Sequence, residues 1–288
     1  MSSKRGGELR CYMNLMAFDS LPNLSGNFQE HLERIRSAGF TGVQFADFAT
    51  SEQLSTCRAA GLGITASGRV NVPKETAVLA ERFASDGYEC VTLHVGWGME
   101  DDDEAARLIS SIVEASERWR IPLYIETHRA TIFQDMWRTV GFVRRFPAVR
   151  INGDFSHWYT GQEMVYGGFE NKSSFIAPVL ERVRFIHGRI GNPGCMQVPV
   201  NVESRATQPY LAHFEHLWTA CFRNFRSSAA PGECMYFVPE LLGSQIYYAR
   251  TFPNSEGALI EETDRWQQSL VLKQIAESCF ERSLDSDK

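Results

Sequence analysis

The sequence lacks the features expected of a nucleic-acid-binding, secreted or membrane-spanning protein. Its formal net charge of −6 at pH 7 gives no excess of basic residues, whereas a nucleic-acid surface normally carries a basic patch. Residues 1–10 are polar and contain no apolar segment of a secretory signal. No apolar run approaches the roughly 20 residues that a membrane-spanning helix needs. We therefore expect a cytoplasmic protein without a nucleic-acid or membrane partner.

The cysteines do not form the pattern of a disulfide framework or a zinc site. They number seven, which is odd, and no two of them form a CxxC pair. Unpaired thiols of this kind are typical of a reducing compartment. Cys11, Cys90 and Cys234 lie inside apolar runs, so we interpret them as small core residues.

Short apolar runs alternate with helical patterns along the chain, and this alternation predicts the fold. A doubly wound open sheet is the alternative, but it usually has fewer strands, and no GxGxxG motif follows the first run. Eight strands alternating with helices indicate a (β/α)8 TIM barrel. We expect one domain over residues 1–288, because no linker or low-complexity segment divides the chain. The runs begin near Leu9, Gly42, Leu62, Cys90, Ile121, Val149, Val183 and Cys234.

The connections lengthen towards the end of the chain. Segments 155–173, 190–206 and 247–262 follow late strands. Long connections in a compact domain are often functional. We therefore expect these three segments to be loops on the active face, where they would form a lid or a substrate wall.

Local signals mark the ends of several predicted helices. Gly39, Gly61 and Gly87 follow helical patterns, at positions where a left-handed helix cap favours glycine. The acidic run at residues 100–104 precedes a helical pattern. A metal site is one interpretation of this run, but carboxylates commonly complement the positive end of a helix dipole, and we favour that second interpretation.

Four late strands end in side chains that can bind a metal ion. Glu126, Asp154, His187 and Glu240 each stand at the carboxyl end of an apolar run. In a barrel these ends meet on one face, where active sites lie. Carboxylate oxygens and imidazole nitrogens suit a divalent cation. A single strand-end carboxylate is often only solvated, but the four residues together predict a metal site.

The segments around these residues resemble the xylose isomerase-like TIM-barrel superfamily, and within it the proteins called sugar phosphate isomerase/epimerase. The resemblance covers nearly the whole chain. It implies one divalent ion, commonly Mn²⁺ with Mg²⁺, Co²⁺ or Zn²⁺ as alternatives, held by Glu126, Asp154, His187 and Glu240. The motifs that carry it are ETHR, DFSHW, HGR and PE, at residues 126–129, 154–158, 187–189 and 239–240.

The resemblance also implies catalytic roles for four side chains. Glu126 and Glu240 would be the pair that transfers protons. His157 matches a family position that touches a substrate oxygen and a carboxylate. Arg189 matches an arginine that stabilises negative charge developing on a substrate oxygen. The family's epimerases commonly carry a second histidine and an aspartate after the metal histidine, whereas Gly188 and Arg189 follow it here, so the exact substrate stays open.

This assignment agrees with the chemistry of the residues. A cation beside a ketose carbonyl makes the neighbouring C–H bond acidic, because it stabilises the enediolate that follows. One carboxylate can remove the proton, and a second on the opposite face can return one with inverted configuration. Metal ligation lowers a carboxyl pKa, so a glutamate that is both ligand and base needs a dry pocket or hydrogen bonds that restore its basicity.

Four further residues near strand ends are candidates for the substrate site. His94 either lines the pocket or is a satisfied core histidine. Trp97 and Trp158 either stack on the apolar face of a sugar or pack in the core. We expect His128 to point away from Glu126 and therefore to support the substrate site rather than bind the ion.

Three functions remain open at this point. The first is a metal-dependent isomerase or epimerase that acts on a keto-sugar or a related polyol. The second is a metal-dependent lyase or dehydratase, in which the same enolate expels a leaving group from a 3-oxo-glycoside or an inosose. The third is a barrel that binds a sugar without turnover. Each has a small carbohydrate as its ligand, and a homodimer or homotetramer is the expected assembly.

Overall fold

Eight parallel strands form a closed barrel, in which each strand pairs with its neighbour in the sequence and the first pairs with the last. The structure is a computed structural model that describes residues 7–284, apart from the side chains of residues 204–206. It confirms the predicted single (β/α)8 barrel. The strands are β1 (Glu8–Asn14), β2 (Gly42–Phe45), β3 (Gly63–Val70), β4 (Val91–Val95), β5 (Leu123–Glu126), β6 (Ile151–Asn152), β7 (Val183–Gly188) and β8 (Cys234–Pro239).

Helices surround the barrel and bury their apolar faces against it. Within residues 7–284, no helix is both long enough and apolar enough to cross a membrane. The helices are α1 (Leu15–Asp19), α2 (Phe28–Ser37), α3 (Ser51–Ala59), α4 (Pro73–Ser85), α5 (Asp102–Trp119), α6 (Met136–Arg145), α7 (Phe155–Gly161), α8 (Phe169–Phe175), α9 (Ala177–Leu180), α10 (Pro209–Ser228) and α11 (Arg265–Arg282).

The predicted helix ends are confirmed. Gly39, Gly61 and Gly87 have φ values of +81°, +71° and +73°, which a glycine adopts without steric cost. In the acidic run, Asp101 accepts a hydrogen bond from the backbone N–H of Glu104, and the Glu104 side chain accepts one from Asp101. This capping box begins α5, so the run stabilises a helix.

The three long connections follow strands β6, β7 and β8, and each contains some regular secondary structure. The first contains the helices α7 and α8 rather than a loop. It differs from the prediction because Asp154 accepts a hydrogen bond from the backbone N–H of Ser156 and so begins a helix directly after β6. The second is irregular and ends in the 3₁₀ helix Val202–Thr207. The third forms a hairpin of β9 (Thr251–Pro253) and β10 (Leu259–Glu261).

The amino-terminal end of the barrel is filled by aromatic side chains. Tyr12 and Tyr236 meet edge to face, with ring centroids 5.4 Å apart. Both hydroxyl groups donate hydrogen bonds to Oε2 of Glu89, at 2.7 and 2.9 Å. Since this end is packed and internally hydrogen-bonded, the polar cluster at the opposite end is the candidate for a site.

Candidate active site

Glu126 ends β5 and is completely buried at the carboxyl end of the barrel. Its Oε2 accepts a hydrogen bond from Asn152 at 3.0 Å and lies 3.1 Å from Nδ1 of His187. Its Oε1 lies 3.3 Å from Nε2 of His94, without the alignment of a hydrogen bond. Burial raises the pKa of the Glu126 carboxyl, but the imidazoles of His187 and His94 outweigh burial and hold the pKa well below its usual value. Glu126 is therefore a buried carboxylate.

Asp154 lies two residues beyond β6 and is also completely buried. Its Oδ1 accepts hydrogen bonds from the backbone N–H and the hydroxyl of Ser156, the latter at 2.6 Å. Its Oδ2 contacts Nη2 of Arg189 and lies 3.4 Å from Nε2 of His157. Burial would raise the pKa of Asp154, but Arg189 and then His157 hold it well below the ordinary value. The same carboxylate therefore begins helix α7 and faces the site.

His187 and Glu240 complete the cluster from β7 and from the end of β8. Nδ1 of His187 lies 3.6 Å from Oε1 of Glu240. Burial lowers the pKa of His187, but the carboxylates of Glu240 and Glu126 raise it to about 9. The Glu240 side chain is 12% exposed, whereas those of Glu126 and Asp154 are at most 1% exposed. The cluster therefore opens towards solvent on the Glu240 side.

The four predicted ligands are compatible with a divalent cation. Glu126, Asp154, His187 and Glu240 each offer a ligand atom, and these atoms all lie within 4.8 Å of one another. Oε1 of Glu126 is buried and has no hydrogen-bond partner among the described residues. An unpaired buried carboxylate oxygen is costly, and a cation is the partner that carboxylate and imidazole donors favour.

Arg189 is the only guanidinium among the predicted site residues, and its side chain is completely buried. Its Nη2 contacts Asp154 and lies 2.5 Å from Oε2 of Glu240. Its Cζ lies 4.5 Å from the ring centroid of Tyr248, a cation–π distance. In residues 7–284, neither Nε nor Nη1 of Arg189 has a hydrogen-bond partner. Arg189 therefore partly neutralises two of the carboxylates and keeps two buried donors free.

A row of three imidazoles runs beside the carboxylates. The ring of His128 lies between those of His94 and His157, with centroid distances of 4.1 and 3.9 Å. Burial and the neighbouring His157 lower the pKa of His128 to about 3, so its ring is neutral at pH 7. The prediction that His128 points away from Glu126 is wrong, because residues two apart in a strand lie on the same face. Ligand atoms of His94, Glu126 and His128 lie within 4.8 Å of one another.

The two tryptophans occupy different environments. Trp97 is 51% exposed, and the guanidinium of Arg69 lies 4.0 Å from its ring centroid. Nη2 of Arg69 also lies 3.4 Å from His94, which places Trp97 at the edge of the site. Trp158 is completely buried in the core, and its indole N–H donates to the carbonyl of Phe133 at 2.9 Å. Because of this position, Trp158 packs in the core and does not stack on a sugar.

The sequence reasoning missed several polar residues that contact the predicted ligands. Asn14, Gln44 and Asn152 are buried inside the barrel and hydrogen-bond to Glu240, His187 and Glu126. An amide inside an apolar strand was the available signal, because barrel strands are buried on both faces.

Comparison with solved structures supports the fold. The E. coli 3-keto-D-glucoside 4-epimerase, whose crystal structure is known, is 15% identical to this chain in sequence, with a TM-score of 0.55 over 94% of this chain and all of that one. An L-ribulose 3-epimerase is 11% identical, with a TM-score of 0.58 over 97% of this chain and 96% of that one. A xylose isomerase-like TIM barrel protein from Mycobacterium smegmatis, in complex with magnesium, is 13% identical, with a TM-score of 0.58 over 97% of this chain and all of that one.

Sequence comparison adds no relative to these structural neighbours. No protein-family model matches the chain, and no curated protein matches it. The structural likeness is nevertheless extensive, because it covers almost the whole of each chain. The chain therefore shares the fold of these neighbours, a (β/α)8 TIM barrel.

Proposed function

We propose that the protein is a divalent-metal-dependent isomerase or epimerase of a keto-sugar or a related polyol. One observation carries the proposal: two glutamates, an aspartate and a histidine from four consecutive strand ends offer ligand atoms within 4.8 Å of one another. Such a set at the carboxyl face of a barrel suits a hard or borderline cation. Mn²⁺ is our first expectation and Mg²⁺ the second.

The bound ion would supply one chemical effect, polarisation of a substrate carbonyl and stabilisation of the enediolate formed beside it. Glu126 and Glu240 come from different strands and are the groups that would take and return the carbon-bound proton. The 12% exposure of Glu240 suits the residue that meets the substrate first. Glu126 would act from the dry floor of the site, because its side chain is only 1% exposed.

His157 and Arg189 would bind the oxygens of the substrate. Nε2 of His157 lies 3.4 Å from Oδ2 of Asp154, but neither ring nitrogen makes a hydrogen bond among residues 7–284, and Nε and Nη1 of Arg189 are also buried without one. Buried donors without partners are rare because they are costly, and a polyol offers oxygens that would satisfy them. Arg189 would also stabilise negative charge that develops on the substrate oxygen.

The substrate class follows from the polarity of these groups and agrees with the structural neighbours. Two of the neighbours are described as sugar epimerases, one acting on a 3-keto-D-glucoside and one on L-ribulose. Both descriptions name keto-sugars, for which proton abstraction next to a carbonyl is the natural chemistry. We extend that substrate class, but neither individual sugar, to this chain.

Two measurements on the same sample test the proposal. Metal content is determined after purification without chelators, and deuterium incorporation from D₂O is followed for a panel of ketoses, ketose phosphates and 3-keto-glycosides. We expect one bound ion per chain and exchange at a carbon next to a carbonyl. A protein with neither metal nor exchange on the whole panel would instead be a sugar-binding barrel. Exchange accompanied by loss of a substituent would identify the lyase.

A further inference from the structure

We propose that Gln44 is a positioning residue that keeps a proton on Nε2 of His187, so that Nδ1 faces the metal site with its lone pair. This inference rests on the proposed function, because it assigns the ligating nitrogen of the histidine. It concerns a residue that sequence reasoning did not select. Two chains of hydrogen bonds lead to the imidazole, and each begins at a backbone N–H group, which can only donate.

The first chain of hydrogen bonds begins at Ala17. Its backbone N–H donates to Oδ1 of Asn14 at 2.9 Å, so the opposite end of that amide must be the NH₂ group. This NH₂ group donates to Oε1 of Gln44 at 3.0 Å and to Oε1 of Glu240 at 3.3 Å. The orientation of the Asn14 amide is therefore set by the backbone at the start of α1.

Gln44 passes this orientation on to the imidazole. Its Oε1, which accepts from Asn14, lies 3.1 Å from Nε2 of His187. Its Nε2 donates in the other direction, to the Thr92 hydroxyl at 3.3 Å. A carbonyl oxygen only accepts, so Nε2 of His187 must carry the proton of this hydrogen bond. Gln44 and His187 are at most 1% exposed, which leaves water little access to an alternative arrangement.

A second chain reaches the same imidazole from another strand. The backbone N–H of His187 donates to Oδ1 of Asn152 at 3.0 Å, so the NH₂ group of Asn152 lies on the other side. That group lies 3.0 Å from both Oε2 of Glu126 and Nδ1 of His187. A donor beside Nδ1 favours an unprotonated nitrogen there. The two chains start from different backbone groups and agree that, in a neutral ring, the proton lies on Nε2.

The arrangement gives the site a pre-set ligand. With the Nε2 proton donated to Oε1 of Gln44, the Nδ1 lone pair faces the space beside Oε2 of Glu126 and Oε1 of Glu240, 3.1 and 3.6 Å away. The hydrogen-bond partner of the remote nitrogen commonly fixes which nitrogen of a histidine binds a metal. Asn14 joins two of the ligands, because the same NH₂ group contacts Glu240 directly and His187 through Gln44.

Metal affinity tests the role of Gln44 with three variants. Gln44→Leu removes the acceptor, and we expect Mn²⁺ affinity, measured by calorimetry, to fall about 10–100-fold. Gln44→Glu keeps an acceptor at the same place, and its affinity should stay close to that of the wild type. Thr92→Val removes the acceptor of the hydrogen bond that the Gln44 NH₂ group donates and leaves Oε1 untouched, so it is the matched control. Wild-type affinity in a folded Gln44→Leu protein would overturn the proposal.

The protonation site of the ring is a second measurement, independent of the metal. Two-bond ¹H–¹⁵N spectra of histidine-labelled, metal-free protein are recorded at a pH where the His187 ring is neutral. We expect Nε2–H in the wild type and a shift towards Nδ1–H in Gln44→Leu. An Nδ1–H ring in the wild type, or no change in the variant, would refute the role of Gln44. If the wild type binds no ion, the metal proposal fails, and these spectra still decide the present one.

Discussion

Nδ1 of His187 lies 3.1 Å from Oε2 of Glu126, although the two residues come from strands β7 and β5, which are not paired with each other. The same nitrogen lies 3.6 Å from Oε1 of Glu240. A buried imidazole nitrogen between two carboxylates favours a positive charge at that point, which either the proton of an imidazolium or a metal ion can supply. Competition between these two occupants underlies the predictions about metal binding.

Replacing His187 should remove most of the metal affinity. The His187→Ala variant loses the one nitrogen ligand and the charge partner of Glu126 and Glu240. We expect affinity to fall by more than the roughly 10–100-fold that is typical of losing a hydrogen-bond partner behind a ligand. Metal content after dialysis is the measurement. The control is His31→Ala, which removes a histidine of helix α2 whose ring contacts the carbonyl of Ser25. Equal metal content in the two variants would exclude His187 as a ligand.

Glu240→Gln should abolish turnover while the fold is retained. The amide keeps one oxygen near the predicted ion but cannot accept a proton, so a loss of at least about 10²–10⁴-fold in kcat is expected. Glu256→Gln changes an exposed glutamate in the hairpin connection and serves as the control. Turnover is measured on the substrate that the exchange panel identifies. Unchanged kcat in Glu240→Gln would remove Glu240 from the proton-transfer pair.

Much of the fold and of the candidate metal cluster could be predicted from the sequence, because both follow from local rules. Each barrel strand is buried on two faces and therefore appears as an apolar run, and the active residues follow at its carboxyl end. Glu126 and His187 satisfy both rules. A closed parallel barrel then brings these two side chains together, because the carboxyl ends of all its strands meet at one face.

The remaining site residues depend on geometry that the local sequence does not encode. Trp158 was a candidate for the substrate site or for the core, and helix α7, which begins directly after Asp154, places its indole in the core. Gln44 contacts His187 across the barrel at a sequence separation of 143 residues, and only the closed sheet reveals such a contact.

Arg189→Ala should lower kcat more than it changes KM. The guanidinium neutralises Asp154 and Glu240, and its free donors are available for charge that grows in the transition state. Arg189→Lys keeps the charge but not the planar set of donors, so it should recover only part of the rate. Steady-state kinetics with metal-saturated protein separate the two parameters. An effect on KM alone would mark Arg189 as a residue that binds the ground state.

The two tryptophans should respond in opposite ways to substitution by alanine. Trp97 is half exposed and rests on Arg69, so Trp97→Ala should raise KM with little change in Tm. Trp158 fills a buried space and donates a hydrogen bond to Phe133, so Trp158→Ala should cost about 3–5 kcal/mol of unfolding free energy. Thermal unfolding and kinetics are compared for both variants. A raised KM with normal stability in Trp158→Ala would return that residue to the substrate site.

Metal binding should release about one proton per ion between pH 6 and 8. In the metal-free protein burial lowers the pKa of His187, but Glu240 and Glu126 raise it to about 9, so the ring is a positively charged imidazolium throughout this range. The pKa of Glu126 and that of Asp154 are lowered, so both carboxylates are already ionised and contribute no proton.

The affinity for the metal ion should increase with pH, because His187 is the group that must lose a proton. The ion requires a neutral imidazole, so the proton competes with it below the pKa of about 9, and apparent affinity should rise roughly tenfold per pH unit until that pKa is reached. Calorimetry in buffers with different ionisation enthalpies measures the released proton directly. His187→Gln removes the titrating group and should abolish the release, even where weak binding to the carboxylates persists. Proton release that is unchanged in His187→Gln would show that another group loses the proton.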